Sequence, residues 1–331
     1  MDRDAVEREL DAAGRDLAAA FPRASMRHPL KAVDAKAMDF AAADEELRAA
    51  LFRFVDVAPA CRGVDDLARH LSAFLDEVPE HPPPVGAAMR MAHTRAGRAA
   101  LGTAAAAGVK HMAHRFIVGE RPGAAMPVLR DLWKHGVASS VDLLGEATVT
   151  QAEADRYADR CAEALDELHE AARHWPERER LEHDALGPVP RANLSVKVSA
   201  LTPLLRPDAP ERGQRDAAAR LRPLLRQAAF LGAHLHIDME SLDSREAVLE
   251  LVLALLGEEE FREGPSSGVV LQAYLRDSPE TLDRILEWSA ATPRAQPLIV
   301  RLVKGAYWDH EIVEARQHGW VPPVFEVKAE S

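Results

Sequence analysis

The chain has 331 residues, 47% apolar and 28% charged, with a formal net charge of −12. That length allows a large core or two domains, and the acidic balance argues against nucleic acid or an anionic membrane as the main partner. Two cysteines, Cys61 and Cys161, exclude a disulfide framework, and no apolar segment is long enough to span a bilayer. The start, MDRDAVERELDAAG, is charged and has no signal h-region, so a reducing cytoplasm is expected.

Residues 1–110 are rich in alanine, leucine, arginine and glutamate, which favours helix throughout. Val6, Leu10 and Leu17 mark one apolar face, and Leu47, Leu51 and Val55 another. The stretch VPEHPPPVG is a proline-rich break, after which helix resumes through MRMAHTRAGRAALGTAAAAGVKHMAHRF. This part, taken as a first domain, shows no catalytic constellation.

Over 111–331, a second domain, short apolar runs alternate with long helical patterns. The strand candidates are SSVDLLGE (139–146), LSVKVSA (194–200), HLHIDME (234–240), GVVLQAYL (268–275) and LIVRLVKGA (298–306). Strands alternating with helices predict βα units and a parallel sheet, either open and doubly wound or a (βα)8 barrel. Each apolar run ends on a polar residue: Asp142, Lys197, Asp238, Gln272, Arg301. That regularity favours the barrel, whose active sites gather at the C-terminal ends of several strands. No GxGxxG or GxxxxGK[ST] loop follows any strand, which weakens the dinucleotide-domain and P-loop alternatives. Five strands leave a barrel of eight short by three, or about 100 to 150 residues. After the fifth strand, Asp309 is expected as a helix N-cap and Gly319 as its C-terminal stop. The last residues, VPPVFEVKAES, hold a strand-like run, VFEV, and the expectation is a barrel cut short after five units.

Asp142 with Glu146, Lys197, Asp238 with Glu240, Gln272 with Tyr274, and Arg301 with Lys304 and Tyr307 form one candidate set. Any one of them alone is most simply a strand-end residue paired locally. Two cations and two acids at one sheet end are harder to explain so, because buried charges persist when paired or when they hold a ligand. His111 and His114, and His234 and His236, have the spacing of metal-ligand pairs but lack a companion carboxylate in a known motif. Asp238 and Glu240 offer a weaker Mg2+ alternative. No GxSxG elbow is present, and the cysteines lack the surroundings of a nucleophile.

The motifs DLLGEAT, LSVKVSAL, HIDMES, VVLQAY and RLVKGAYWDHEI resemble the proline dehydrogenase domain of bifunctional proline utilization A enzymes, in order and spacing. RFIVGE before the first strand and PPVFEVKAES at the end fit as well. DEELRAALFRFVDVAP resembles the helical arm of the same enzymes, so the resemblance covers most of the chain. It implies a distorted (βα)8 barrel holding FAD, truncated here after about five units and preceded by the helical arm. The implied reaction oxidises L-proline to Δ1-pyrroline-5-carboxylate, with hydride passing to flavin N5 and electrons to a quinone at the membrane surface.

By motif, the resemblance places Arg301 at the flavin ring, where a fixed cation suits the negative charge of reduction. Val303, Lys304 and Gly305 match the segment along the cofactor, Gly305 permitting close backbone approach. Trp308 matches a residue packing on the adenosine, and Gln272 and Asp238 match flavin-contacting strand ends. Lys197 matches the lysine that meets the substrate carboxylate, and Tyr307 the aromatic on the proline ring. Asp142 and Glu146 match first-strand acids, the glutamate gating the site through an arginine of the last helix. That helix, three further strands and the NAD-dependent aldehyde dehydrogenase domain have no counterpart here. The start also lacks the basic ribbon-helix-helix segment of the DNA-binding variant. The chain is therefore expected to be an N-terminal fragment that binds FAD poorly and oxidises proline little. The alternatives are a monofunctional proline dehydrogenase and a non-catalytic interaction fragment. A homo-oligomer through the helical arm is a further expectation, as is a cytoplasmic location peripheral to the membrane.

Overall fold

The computed structural model describes residues 3–20, 44–79, 83–114, 117–145 and 147–331. The chain divides into two compact units, Met1–Ile117 and Val118–Ser331.

The described residues of the first unit are helical: α1 (Arg3–Ala20), α2 (Glu45–Val57), α3 (Val64–Asp76), α4 (Pro83–Met91) and α5 (Arg95–Ala113). α2 starts where the Asp44 carboxylate accepts the Leu47 N–H at 2.7 Å, a side-chain cap for an otherwise orphaned donor. Thr94 caps α5 in the same way through Gly97 N–H. The core is Leu47, Ala50, Phe54, Leu71, Leu75 and Val78. The buried face of α2 thus runs through Leu47, Ala50 and Phe54, rather than the expected Leu47, Leu51 and Val55; Val55 is exposed. Leu10 and Leu17, expected as an apolar face of α1, are also exposed. α5 presses against the start of α3 at Gly102, where a Cβ would fall 1.9 Å from the Val64 carbonyl oxygen.

The second unit is α/β. Its order is α6 (Pro122–Lys134), β1 (Val141–Asp142), α7 (Gln151–Ala172), a short α8 (Glu179–Glu182), the hairpin β2 (His183–Asp184) and β3 (Gly187–Pro188), and β4 (Asn193–Lys197). There follow a helical turn α9 (Val198–Leu201), α10 (Pro210–Leu231), β5 (His234–Asp238), α11 (Leu242–Leu256), β6 (Ser266–Gln272), α12 (Ser278–Ala291), β7 (Leu298–Val303) and α13 (Trp308–His318). Local chemistry sets several ends. Thr150 and Glu153 form a capping box at the start of α7. Gly232 and Gly319 close α10 and α13 in the left-handed conformation that glycine adopts without steric cost. α13 begins one residue before Asp309, which sits in the first turn instead of capping it.

β1, β4, β5, β6 and β7 make one sheet in that spatial order, parallel throughout. Spatial order follows chain order with no reversal, so the sheet is an arc of a barrel and has no switch point. The strands are shorter than the apolar runs. β1 has two residues, β4 stops at Lys197 where α9 begins, and VFEV forms no strand, meeting the fold through one bridge from Val324 to Leu275. Leu194, Val196, Leu235, Ile237 and Val269 alternate onto the helix side and are fully buried with Leu165, Leu221, Leu225, Leu249 and Leu256. The alternate positions carry Asp142, Ser195, Lys197, His236, Asp238, Gln272 and Arg301 on the concave face. No described helix is long and apolar enough to cross a membrane.

Gly268 on that face has no room for a side chain: a Cβ would lie 2.5 Å from His236 Nδ1 and 2.7 Å from the Ile299 carbonyl oxygen. Gly268→Ala is expected to destabilise the second unit by ~1–3 kcal/mol, the usual cost of overpacking, measured as a lowered urea midpoint of the β/α signal.

Candidate active site

Parallel register brings the polar strand ends together. Asp142 lies opposite Ser195, Lys197 opposite Asp238, and Val270 opposite Arg301. The Lys197 ammonium donates to both oxygens of Asp142, at 2.8 and 2.7 Å, and reaches Asp238 Oδ2 at 3.4 Å. The Arg301 guanidinium donates to Asp238 Oδ1 at 3.0 Å through Nη1, and to Ser140 Oγ at 3.1 Å through Nη2. Ser195 Oγ donates to the same Asp238 oxygen at 2.7 Å. Lys197 and Asp238 side chains are only 15% and 18% exposed, so the centre of the network is largely out of water and Lys197 needs its acids, while Asp142 and Arg301 are partly exposed at its rim. Burial opposes the charge of Lys197, but the Asp142 carboxylate, with Asp238 behind it, outweighs that and raises the lysine's pKa.

A second layer fixes the first. The Lys197 backbone N–H donates to the Tyr157 hydroxyl at 3.1 Å. Burial, with Cys161 next to it, pushes the Tyr157 phenol well above its ordinary value. Burial also raises the Cys161 thiol to about 12, so it is an inert core residue. Ser199 Oγ donates to the Glu240 carboxylate, and Gln272 Nε2 to the Glu240 carbonyl at 3.2 Å. Gln272 is 4% exposed, and its Oε1 is a buried acceptor with no protein partner. Tyr307 stands at the mouth, partly exposed; its pKa is raised by burial first, then by the charge of Glu240.

The remaining candidates are placed differently. Val303 ends β7, and Lys304 lies past the strand with Nζ 3.1 Å from Ser331 Oγ. Gly305 has φ +121°, and the close approach it permits is made by Tyr274, whose ring would lie 2.3 Å from an added Cβ. Trp308 donates its indole N–H to the Phe325 carbonyl at 2.8 Å and packs on Tyr274, Leu275, Ile312 and Val324. Glu146 lies outside the described residues. Neither histidine pair gathers a third metal ligand among the described residues.

His234 and His236 sit below the charged cluster on β5, with Nε2 of one 3.2 Å from Nδ1 of the other. Burial and then the Arg301 charge depress them to about 4 and about 3. Ser140, Ser195, Ser199 and Tyr157 were not anticipated as partners. The one signal for Ser195 was its two-residue spacing from Lys197, which puts both on one strand face.

A parallel arc with paired charges at its strand ends defines an α/β-barrel enzyme architecture. The chain belongs to the proline dehydrogenase family, which matches residues 125–331, while residues 7–116 match the proline utilization A N-terminal domain. It is 31% identical over 208 residues to Bifunctional protein PutA of Klebsiella aerogenes, a match covering 63% of this chain and 15% of that protein. The figures for the Rhizobium meliloti protein of the same name are 32% over 221 residues, 66% and 17%. Among solved structures, proline utilization A from Bdellovibrio bacteriovorus, inactivated by N-propargylglycine, aligns with TM-score 0.77 at 35% identity. That alignment covers 88% of this chain and 28% of the other. The match thus spans about a sixth of the length of these two PutA proteins.

The depressed histidines make stability pH-dependent. The unfolded imidazoles take up protons below 6.5, whereas the folded ones stay neutral down to about 4 and about 3. Stability is therefore complete above 6.5 and falls as pH drops, by on the order of 2 kcal/mol per histidine at pH 5. Ser266, Arg301 and Asp238 face the pair from neighbouring strands and from β5 itself. Urea midpoints should fall between pH 7 and pH 5 in the native sequence. The fall should be much smaller in the double variant His234→Asn, His236→Asn.

Proposed function

We propose that this chain carries the proline-oxidising site of a flavoenzyme that converts L-proline to Δ1-pyrroline-5-carboxylate. The observation that carries the reading is the joined Asp142–Lys197–Asp238–Arg301 network at the strand ends, beside the orphaned Gln272 Oε1. These residues fit FAD: a fixed guanidinium suits a ring that gains negative charge, and a buried acceptor suits a ring N–H. FAD bound there would supply the hydride acceptor.

The protein's own part is placement. Arg301, held by Asp238, Ser140 and Ser195, keeps a positive charge fixed at the ring position without reorganisation during reaction. Asp238 and Gln272 face the same cofactor position, and Val303, Lys304 and Gly305 run along it. Trp308, through the wall it forms with Phe325, borders the adenosine end. Lys197 offers its ammonium to the substrate carboxylate, with Asp142 as the partner it exchanges. Tyr307 covers the proline ring. The ring carbon beside nitrogen loses hydride and the nitrogen loses a proton, leaving the C=N bond of the product. That loss requires a neutral amine, so orientation does most of the remaining work.

The electrons would leave to a quinone at a membrane surface, with the protein in the cytoplasm and peripheral to that membrane. Where these residues sit within a bifunctional protein, a separate domain would oxidise glutamate semialdehyde with NAD. The helical unit would serve self-association.

Among the described residues β1 and β7 are the unpaired edges of the sheet, so the 331 residues by themselves are expected to bind FAD weakly. Titrating the 331-residue chain with FAD should give little protein-bound flavin band. The same residues in a chain that closes the barrel should give a band that L-proline bleaches, and Arg301→Met should slow that bleaching by roughly 10²-fold. Bound flavin that proline leaves oxidised in the closed barrel would overturn the reaction. Stoichiometric bleaching in the 331-residue chain would overturn only the weak-binding expectation.

A further inference from the structure

Cys61, Asp66 and His70 stand together in the helical unit, outside its apolar core, and none of them is assigned to proline oxidation. One ligand atom from each, thiol Sγ, carboxylate O and imidazole N, lies within 4.8 Å of the others. The sequence explains the convergence. Asp66 and His70 are four apart on α3, hence on one face. Cys61 has extended backbone just ahead of that helix, which turns its side chain back toward the first turn.

The carboxylate is oriented as a metal ligand would be. Asp66 Oδ2 accepts the Arg62 backbone N–H at 3.0 Å, which leaves Oδ1 facing His70 Nε2 at 3.7 Å. That separation is too long for a hydrogen bond. The Cys61 thiol has one weak contact, 3.6 Å to the Val57 carbonyl. Arg69 also bonds Oδ1, but its side chain is 72% exposed and can swing into water.

We propose that Cys61, Asp66 and His70 bind one borderline-soft divalent cation of the Zn2+ class, with water as a fourth ligand. A thiolate–imidazole–carboxylate set favours such an ion over Mg2+ or Ca2+, which take oxygen ligands. Tetrahedral bonds of about 2.0–2.3 Å bring ligand atoms within roughly 4 Å of one another, so side-chain rotation closes the site. On binding, Sγ forms a bond to the metal and the thiol proton passes to solvent, while Arg69 releases Oδ1. The ion would clamp the segment before α3 onto that helix.

The test is a Co2+ titration of the untagged 331-residue chain. It should show a thiolate-to-cobalt charge-transfer band together with the visible bands of a tetrahedral site. Cys61→Ser should abolish the charge-transfer band, and His70→Gln should weaken Co2+ binding at least ~10-fold. Cys161→Ala, which removes the other, buried thiol, should leave both signals in place. Circular dichroism of each variant checks that the helices persist. Zn2+ should displace the cobalt and raise the melting temperature of the native chain but not of Cys61→Ser. No charge-transfer band, a band surviving Cys61→Ser, or unchanged affinity in His70→Gln with helices intact would overturn the site.

Discussion

Asp238 is the common counter-ion of the strand-end cluster. One oxygen serves Arg301 and Ser195, and the other faces Lys197. Two cations from strands on either side of β5, Lys197 buried and Arg301 half-buried, can stand this close because this carboxylate lies between them. Much of the second unit follows from keeping it there. Parallel pairing sets Lys197 directly opposite Asp238, and β6 must carry Gly268 so that His236 can lie beneath it. The histidines in turn remain neutral because burial and Arg301 both disfavour a further positive charge so close by.

The charged residues of this cluster were legible in the sequence, because an acid or a cation ending an apolar strand has few places to go. The neutral groups that aim them were not. Ser140 and Ser195 are unremarkable residues in strand-like runs, yet each touches Arg301. Tyr157 sits inside a long amphipathic helix, where only the tertiary fold shows its hydroxyl meeting the Lys197 N–H. Pairing across strands decides these contacts, and a single sequence does not print which residue faces which.

Strand lengths were overestimated for a related reason. Apolar β-branched runs mark where a strand could form, whereas the ladder stops where its partner stops. RLVKGA leaves the sheet after Val303, since Gly305 takes a positive φ to let the chain fold over Tyr274. VFEV has strand composition but forms only an isolated bridge, Val324 to Leu275, beside the Phe325 N–H that donates to the Tyr274 carbonyl. In the helical unit the choice of face was off by about one residue per turn. Leu51 and Val55 are more hydrophobic than Ala50, but a small residue is what close helix packing accepts.

The outer side of β7 has a further consequence. Among the described residues the strand pairs with β6 only, so its other edge presents a row of backbone donors and acceptors, with Ile299 and Leu302 exposed beside it. Such an edge is a template on which another copy could extend the sheet. Arg301 lies within that edge and Lys304 just beyond it, so two copies aligned there in register would bring like charges together. Arg301, one of the two cations that Asp238 holds, therefore also stands on the edge that such pairing would have to use.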